Sequence, residues 1–275
     1  MQVDSADAKH FNRLFNVSTV LLLFTAVAIF IWEMRSPILQ MDDAFISYRY
    51  AQNWVAGHGL VFNVGERVEG YTNFLWVLLI ALGMKLGFSA PIFGHWLCVV
   101  TGALLLFANY LYCAVLLPRS ARLLAALAPL LLLSLNTFVL WTSSGLEQGF
   151  FAALVVLALW ASTVGRHWTA CGFCCLATLT RPEGVLVAAL LLNMPWLRAA
   201  LRSSTYKWRE TFTALLPALC FGIFVGLFTL FRWFYYGDVV PNTFYAKVGG
   251  IPFWWGTFYL QQFALDGPVF LLFGT

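Results

Sequence analysis

The stretch FGHWLCVVTGALLLFANYLYCAVLL, Phe93 to Leu117, contains no Asp, Glu, Lys or Arg. A bilayer core of about 30 Å takes roughly 20 apolar residues as helix, so this stretch predicts a membrane span. Working outward, comparable runs occupy Val17 to Trp32, Leu123 to Leu140, Gly149 to Val164 and Phe212 to Phe231. Two shorter runs, Trp168 to Thr180 and Val185 to Leu197, flank Arg181-Pro182-Glu183-Gly184, and a third covers Phe74 to Phe88. Composition agrees: 61% of the 275 residues are hydrophobic and 10% charged, with a mean hydropathy of +0.80. A water-soluble core cannot hide that much apolar surface.

Charge orders the spans. If Trp168 to Leu197 is a helical hairpin and Phe74 to Phe88 lies at the interface, about seven helices cross the membrane. Lys9, Arg13, Arg119, Arg122, Arg166, Arg198, Arg202, Lys207 and Arg209 then face the cytoplasm, as the positive-inside rule asks. The alternative pairing of short runs moves Arg119, Arg122 and Arg166 outside and removes the bias. The first apolar run exits into Glu33-Met34-Arg35-Ser36-Pro37 without a small-x-small cleavage pattern, so it is expected to stay as an anchor. Cys98, Cys113 and Cys220 fall inside spans, and Cys171, Cys174 and Cys175 share one short helix; they read as small packing residues. The chain reads as one membrane domain, 1–275, with outer segments 33–92, 141–148, 181–184 and 232–275.

Acidic residues gather on one side. Glu33, Asp42, Asp43, Glu66, Glu69, Glu147, Glu183, Asp238 and Asp266, nine of the 12, fall outside under this topology. The densest cluster is Met41-Asp42-Asp43-Ala44-Phe45-Ile46-Ser47-Tyr48-Arg49-Tyr50. Its spacing predicts an amphipathic surface helix with Phe45, Tyr48 and Val55 on one side and Arg49 and Asn53 on the other. The two aspartates would open it, where they could serve as an N-cap. Adjacent carboxylates could equally accept a proton from a hydroxyl or hold a divalent cation such as Mg, Mn or Ca. Next, Gly57 to Asn73 alternates glycines with apolar and polar residues, which predicts an irregular loop or a small hairpin presenting His58, Glu69, Tyr71 and Asn73.

Together, Asp42 to Trp76 resembles the first outer loop of GT-C membrane glycosyltransferases, particularly the bacterial group that includes mycobacterial terminal arabinofuranosyltransferases. Three further stretches match in order: Trp141-Thr142-Ser143-Ser144-Gly145-Leu146-Glu147, Thr180-Arg181-Pro182-Glu183-Gly184 and Pro241-Asn242-Thr243-Phe244-Tyr245-Ala246-Lys247. The resemblance implies an all-α polytopic module of about seven transmembrane helices with a large first periplasmic loop carrying juxtamembrane helices. It implies residence in the bacterial inner membrane with a periplasmic active face. The reaction implied is transfer of a sugar, such as a pentofuranose, from a polyprenyl-phosphate donor to a hydroxyl of a glycan, lipid or protein acceptor. Membrane lipids are expected partners; nucleic acid is not.

In the family the first loop carries the acidic catalytic motif, which places Asp42 as general base and Asp43 in orientation or metal binding. Arg181 precedes proline between two short helices, so its charge should sit in a wet recess rather than face lipid. There it could fork onto a phosphate or form an ion pair with Glu183 or Glu147. Lys247, beside Asn242 and Tyr245, is the second phosphate candidate. Tyr235 and Tyr236, near Arg232, read as interfacial anchors. Family members usually continue with more helices and an outer domain, whereas Phe270-Leu271-Leu272-Phe273 ends this sequence as if entering another span; a truncated C-terminus is the expectation. The competing classes are a transporter or lipid flippase, and an inactive truncated partner subunit.

Overall fold

A computed structural model of the chain describes residues 5–35, 40–118, 121–202, 208–248 and 253–266. Arg119, Lys207 and the Phe270 to Phe273 run lie outside the described residues, as do the side chains of Lys9, His10, Arg13, Arg198, Arg202, Arg209, Lys247 and Asp266. The described chain is helical. In order it runs α1 (Ser5–Glu33), α2 (Asp42–Val55), α3 (Phe74–Lys85), α4 (Ala90–Leu116), α5 (Arg122–Ala125), α6 (Leu127–Leu133) and α7 (Asn136–Ser143). It continues with α8 (Gln148–Thr163), α9 (His167–Thr180), α10 (Gly184–Arg202), α11 (Trp208–Tyr236), α12 (Asn242–Val248) and α13 (Phe253–Asp266).

Two segments, Ala90–Leu116 and Leu215–Tyr236, are long and apolar enough to cross a membrane. The expected single span Leu123 to Leu140 is instead broken, and Arg122–Leu133 meets Asn136–Ser143 at a 70° bend. The break has a local cause: the Ser134 hydroxyl donates to the Leu131 carbonyl at 2.7 Å, and Leu135 is extended. Large apolar side chains such as Phe24, Val100, Leu131, Leu190 and Ile223 are exposed, as suits helices whose outer surface meets lipid.

α3 is a 12-residue helix, so its length is about 18 Å, well short of a bilayer core. It buries Trp76, Val77, Ile80 and Ala81 completely against α2 and α4. On α2 the buried face is Ala44, Ser47, Tyr48 and Ala51, at the 3-and-4 spacing of a helix stripe. Phe45 is 51% exposed, and its ring meets that of Tyr48 at a centroid distance of 5.4 Å, on the side the two are expected to share. One sequence expectation needs correcting there. Asn53, expected on the polar side, is buried because its amide holds the carbonyls of Val61 and Phe62, each at 2.8 Å.

Those bonds begin a clamp on the segment between α2 and α3, which forms an irregular loop. The Tyr50 hydroxyl donates to the Val68 carbonyl at 2.7 Å and accepts from the Gly70 amide at 2.8 Å. Tyr235 and Tyr236, expected as interfacial anchors, bind the loop instead. The Leu60 amide donates to the Tyr235 hydroxyl at 2.8 Å, and the Tyr236 hydroxyl donates to the Leu60 carbonyl at 3.0 Å. The periodicity of one helix end carried no sign of a partner so distant in sequence.

Glu69 completes the clamp. Its carboxylate accepts from Arg232 Nε at 2.7 Å, with the two side chains only 5% and 14% exposed. Its backbone carbonyl accepts the Asn242 amide at 2.9 Å. Burial pushes the Glu69 carboxyl above the usual carboxylate range, and the hydrogen bond and charge of Arg232 oppose that rise. Replacing Glu69 with Ala strands Arg232 in a dry site, and we expect a loss of about 2 kcal/mol, read as a lowered Tm in detergent. A Glu69→Leu/Arg232→Met double variant should recover much of it, because neither charge is then left unpaired.

Candidate active site

Four segments meet beside α2 to enclose a cleft of about 220 Å³. Asp43, Ile46 and Ser47 supply one wall, Gly70 to Asn73 the second, and Leu146, Glu147 and Gln148 the third; Arg181 and Thr243 close it. Typical pockets for drug-sized ligands start near 300 Å³, so this one suits a small group such as a single sugar unit.

Local sequence explains each wall. Asp42 and Asp43 occupy the first turn of α2, whose N-cap is Met41 with no side-chain cap; the capping alternative therefore does not apply. Asp43 and Ser47 are four apart and so share a helix face. Asp42, one residue earlier, is exposed and is not part of the cleft wall. Glu147 is set by a tight turn: Gly145 has φ +81°, and a Cβ there would come within 2.6 Å of the Tyr48 hydroxyl. The Gly145 carbonyl accepts from Trp76 Nε1 at 3.1 Å, which ties this turn to α3. Gly184 opens α10 so close to α9 that a Cβ would lie 2.5 Å from the Thr178 backbone nitrogen. That contact sets the tip of the α9–α10 hairpin, which carries Arg181.

A buried polar chain links the walls. The Asn73 amide donates to Glu147 Oε2 at 2.7 Å and to Ser47 Oγ at 2.9 Å, while the Ser47 hydroxyl donates back to Asn73 Oδ1 at 3.1 Å. Arg181 Nη1 donates to Glu147 Oε1 at 2.8 Å. Its Nε and Nη2 reach the two carboxylate oxygens of Glu183 at 3.3 and 3.0 Å. Burial lowers the Arg181 pKa, but the hydrogen bonds and charges of Glu183 and Glu147 outweigh it and the net shift is upward. The guanidinium is thus a permanent cation at the cleft. Tyr71 stays a neutral phenol, since burial and the neighbouring Tyr236 hydroxyl both raise its pKa. Gln148 Oε1 and Thr243 Oγ1 are buried without a hydrogen-bond partner among the described residues.

Of the residues singled out in the sequence, Asp43, Tyr71, Asn73, Glu147 and Arg181 converge here, with Glu183 paired to the last. Others lie elsewhere. Arg49 borders a second, apolar groove with Phe45, Tyr48, Met84 and Pro91, and it donates to the Phe62 carbonyl at 3.2 Å. His58 is exposed on the loop. Glu69 is in the clamp, and Asn242 bonds to it through the backbone. The Tyr245 hydroxyl donates to Asp238 at 3.2 Å. Ser47, Gln148 and Thr243 were not anticipated, although Ser47 could have been found from its four-residue spacing to Asp43.

A metal fits poorly. Side chains at adjacent helical positions do not face each other, so Asp42 and Asp43 do not close on one ion. Among the described residues no group of three or more His, Cys, Asp or Glu is placed to hold one.

Fold and site together define a helical protein with membrane-length apolar helices and a small polar cleft joining its inter-helix segments. Comparison with known proteins places it nearer. The chain is 30% identical over 266 residues to a terminal beta-(1->2)-arabinofuranosyltransferase of Mycobacterium tuberculosis, a match covering 88% of this chain and 40% of the relative. It is 29% identical over 290 residues to a terminal beta-(1->2)-arabinofuranosyltransferase of Corynebacterium glutamicum, covering 94% of this chain and 40% of that relative. The chain therefore spans about 40% of the length of these curated relatives. No protein-family model matches the chain, and no solved structure matches it significantly. The resemblance carried by the four sequence motifs is borne out by both relatives, consistent with the GT-C group.

Proposed function

We propose that this chain is the catalytic membrane module of a glycosyltransferase that moves a sugar unit from a polyprenyl-phosphate donor to an acceptor hydroxyl on the outer face of a bacterial inner membrane. The observation that carries it is the cleft itself, which brings the Asp43 carboxylate and the Arg181 guanidinium to one small cavity from segments far apart in sequence. The names of both relatives support sugar transfer, and a pentofuranose is the unit they suggest.

The chemistry balances with residues at hand. The Asp43 carboxylate takes the proton of the acceptor hydroxyl as its oxygen bonds to the anomeric carbon. The bond between that carbon and the phosphate oxygen breaks, and the electron pair leaves with the phosphate. Arg181 offsets the charge that develops there. Glu147 and Asn73 hold the guanidinium in place, and Gln148 and Thr243 offer unpartnered polar atoms to sugar hydroxyls. Lys247, on α12, is kept as a second phosphate contact from the sequence motif. Purified protein given a labelled polyprenyl-phosphate sugar should transfer the label to an acceptor alcohol; release across vesicles without transfer would instead indicate a transporter, and binding alone an inactive subunit.

About seven helices crossing the membrane, with 1–275 as one domain, belong to the same proposal. On that topology α3 lies on the outer surface, and Lys85, exposed with its Nζ 5.2 Å from the Trp54 ring centroid, faces the outside. A Lys85→Cys variant should react with a membrane-impermeant thiol reagent added from outside. Labelling only after the cytoplasmic side is opened would reverse the topology.

A further inference from the structure

Asp43 and Ser47 turn one side of α2 to the cleft, and residues about 200° round the same helix turn the other side to a separate groove. Phe45, Arg49 and Gln52, at three- and four-residue spacing, line it from α2. Met84 of α3, with Ser89 and Pro91 at the start of α4, lines it from across. The groove encloses about 400 Å³, within the range of about 300–1,000 Å³ usual for small-molecule sites. The described residues that line it include one cation, Arg49, and no carboxylate.

A guanidinium has five N–H groups to place. Arg49 Nε donates to the Phe62 carbonyl at 3.2 Å and Nη1 to Gln52 Oε1 at 3.4 Å. Its Nη2 has no partner among the described residues, and none of their carboxylates pairs with it. Asp42, seven residues back on α2, stands about 10 Å away along the axis, roughly a Debye length, so water screens it. The groove also lies where water meets lipid. α4 is long and apolar enough to cross a membrane, and its first turn forms the rim. Beside Pro91 begins an exposed apolar stripe, Ile92, Trp96 and Val100, which runs down α4 at four-residue spacing. A soluble anion would leave the apolar trough unused, and a neutral chain would leave the guanidinium unpaired. An amphiphile with an anionic head satisfies both.

We propose that this groove binds one anionic membrane phospholipid, with its phosphate on Arg49 Nη2 and an acyl chain running past Met84 and down the Ile92, Trp96 and Val100 stripe. The site lies across α2 from Asp43, so it is separate from the cleft and does not depend on the reaction proposed there. A lipid seated in it bridges α2 to the start of α4 and steadies the helix that carries Asp43.

The test is native mass spectrometry of the purified chain in mild detergent, titrated with phosphatidylglycerol. Two controls run beside it: diacylglycerol, which has the chains without the phosphate, and polyprenyl phosphate. Wild type should hold one phosphatidylglycerol molecule. Arg49→Gln should bind it about tenfold more weakly, the loss expected for one charge-assisted hydrogen bond, with diacylglycerol binding unchanged. Because Arg49 also holds the Phe62 carbonyl, a second variant leaves that bond alone. Ser89 is the N-cap of α4 but makes no side-chain cap bond, so Ser89→Trp fills the groove at little cost to the helix. It too should weaken phosphatidylglycerol about tenfold or more, with a Tm near wild type. Unchanged phosphatidylglycerol binding in either variant overturns the site. An equal loss of diacylglycerol in Arg49→Gln also overturns it, since the effect would then not lie in charge. A loss confined to polyprenyl phosphate would make the groove part of a donor path and overturn the phospholipid assignment.

Discussion

Asp43→Asn lowers single-turnover transfer about 10³-fold, within the range that a positioned general base contributes, while Asp42→Asn costs less than about tenfold. The asymmetry follows from geometry. Both aspartates are exposed, but Asp43 forms part of the cleft wall and shares its helix face with Ser47, whereas Asp42 does not line the cleft. Motif position favoured Asp42 as the base; because Asp43 and not Asp42 is among the cleft-lining residues, we propose the opposite division of roles. Stability should barely separate the variants, because Met41 is the N-cap and each aspartate adds only a first-turn charge, worth about 0.3–1 kcal/mol to the helix dipole. Thermal midpoints measured in the same detergent check that point. Donor binding should persist in both. Full transfer by Asp43→Asn together with a large loss in Asp42→Asn would restore the first division, and full transfer by both would remove the pair from catalysis.

Arg181→Gln weakens polyprenyl-phosphate binding about 10²-fold. Two charge-assisted hydrogen bonds are lost, each contributing about 1.5 kcal/mol by the usual range for charged groups. Acceptor KM should change far less, since acceptor hydroxyls carry no charge for the guanidinium to neutralise. The glutamine variant also leaves the buried Glu147 without its cation, so some lost affinity could come from a disturbed cleft. Arg181→Lys resolves the two causes. Lysine keeps the charge beside Glu147 but cannot present two parallel donors. A loss of about tenfold in the lysine variant, with a Tm near wild type, assigns the effect to the fork; unchanged donor affinity in both would exclude Arg181 from donor binding.

Much of the site was legible because the residues that line it sit in motifs that share a helix turn or a tight loop. Asp43, Tyr71, Asn73, Glu147 and Arg181 were each singled out from local pattern, and each lines the cleft. Local pattern could not say which of them face one another. Glu69 and Tyr71 look alike as loop polar groups, yet Glu69 turns away to Arg232, 163 residues later in the chain, while Tyr71 lines the cavity.

The sequence by itself determined the helical class and the short length of α3, because hydropathy and helix period are properties of neighbouring residues. It also located the chemistry-bearing segments. Tertiary structure alone decided which aspartate lines the cleft, which face of α2 is buried, and that Tyr235 and Tyr236 hold the loop between α2 and α3. These outcomes depend on contacts between residues far apart in the chain, where burial and hydrogen bonding outweigh local preference; no periodicity records them.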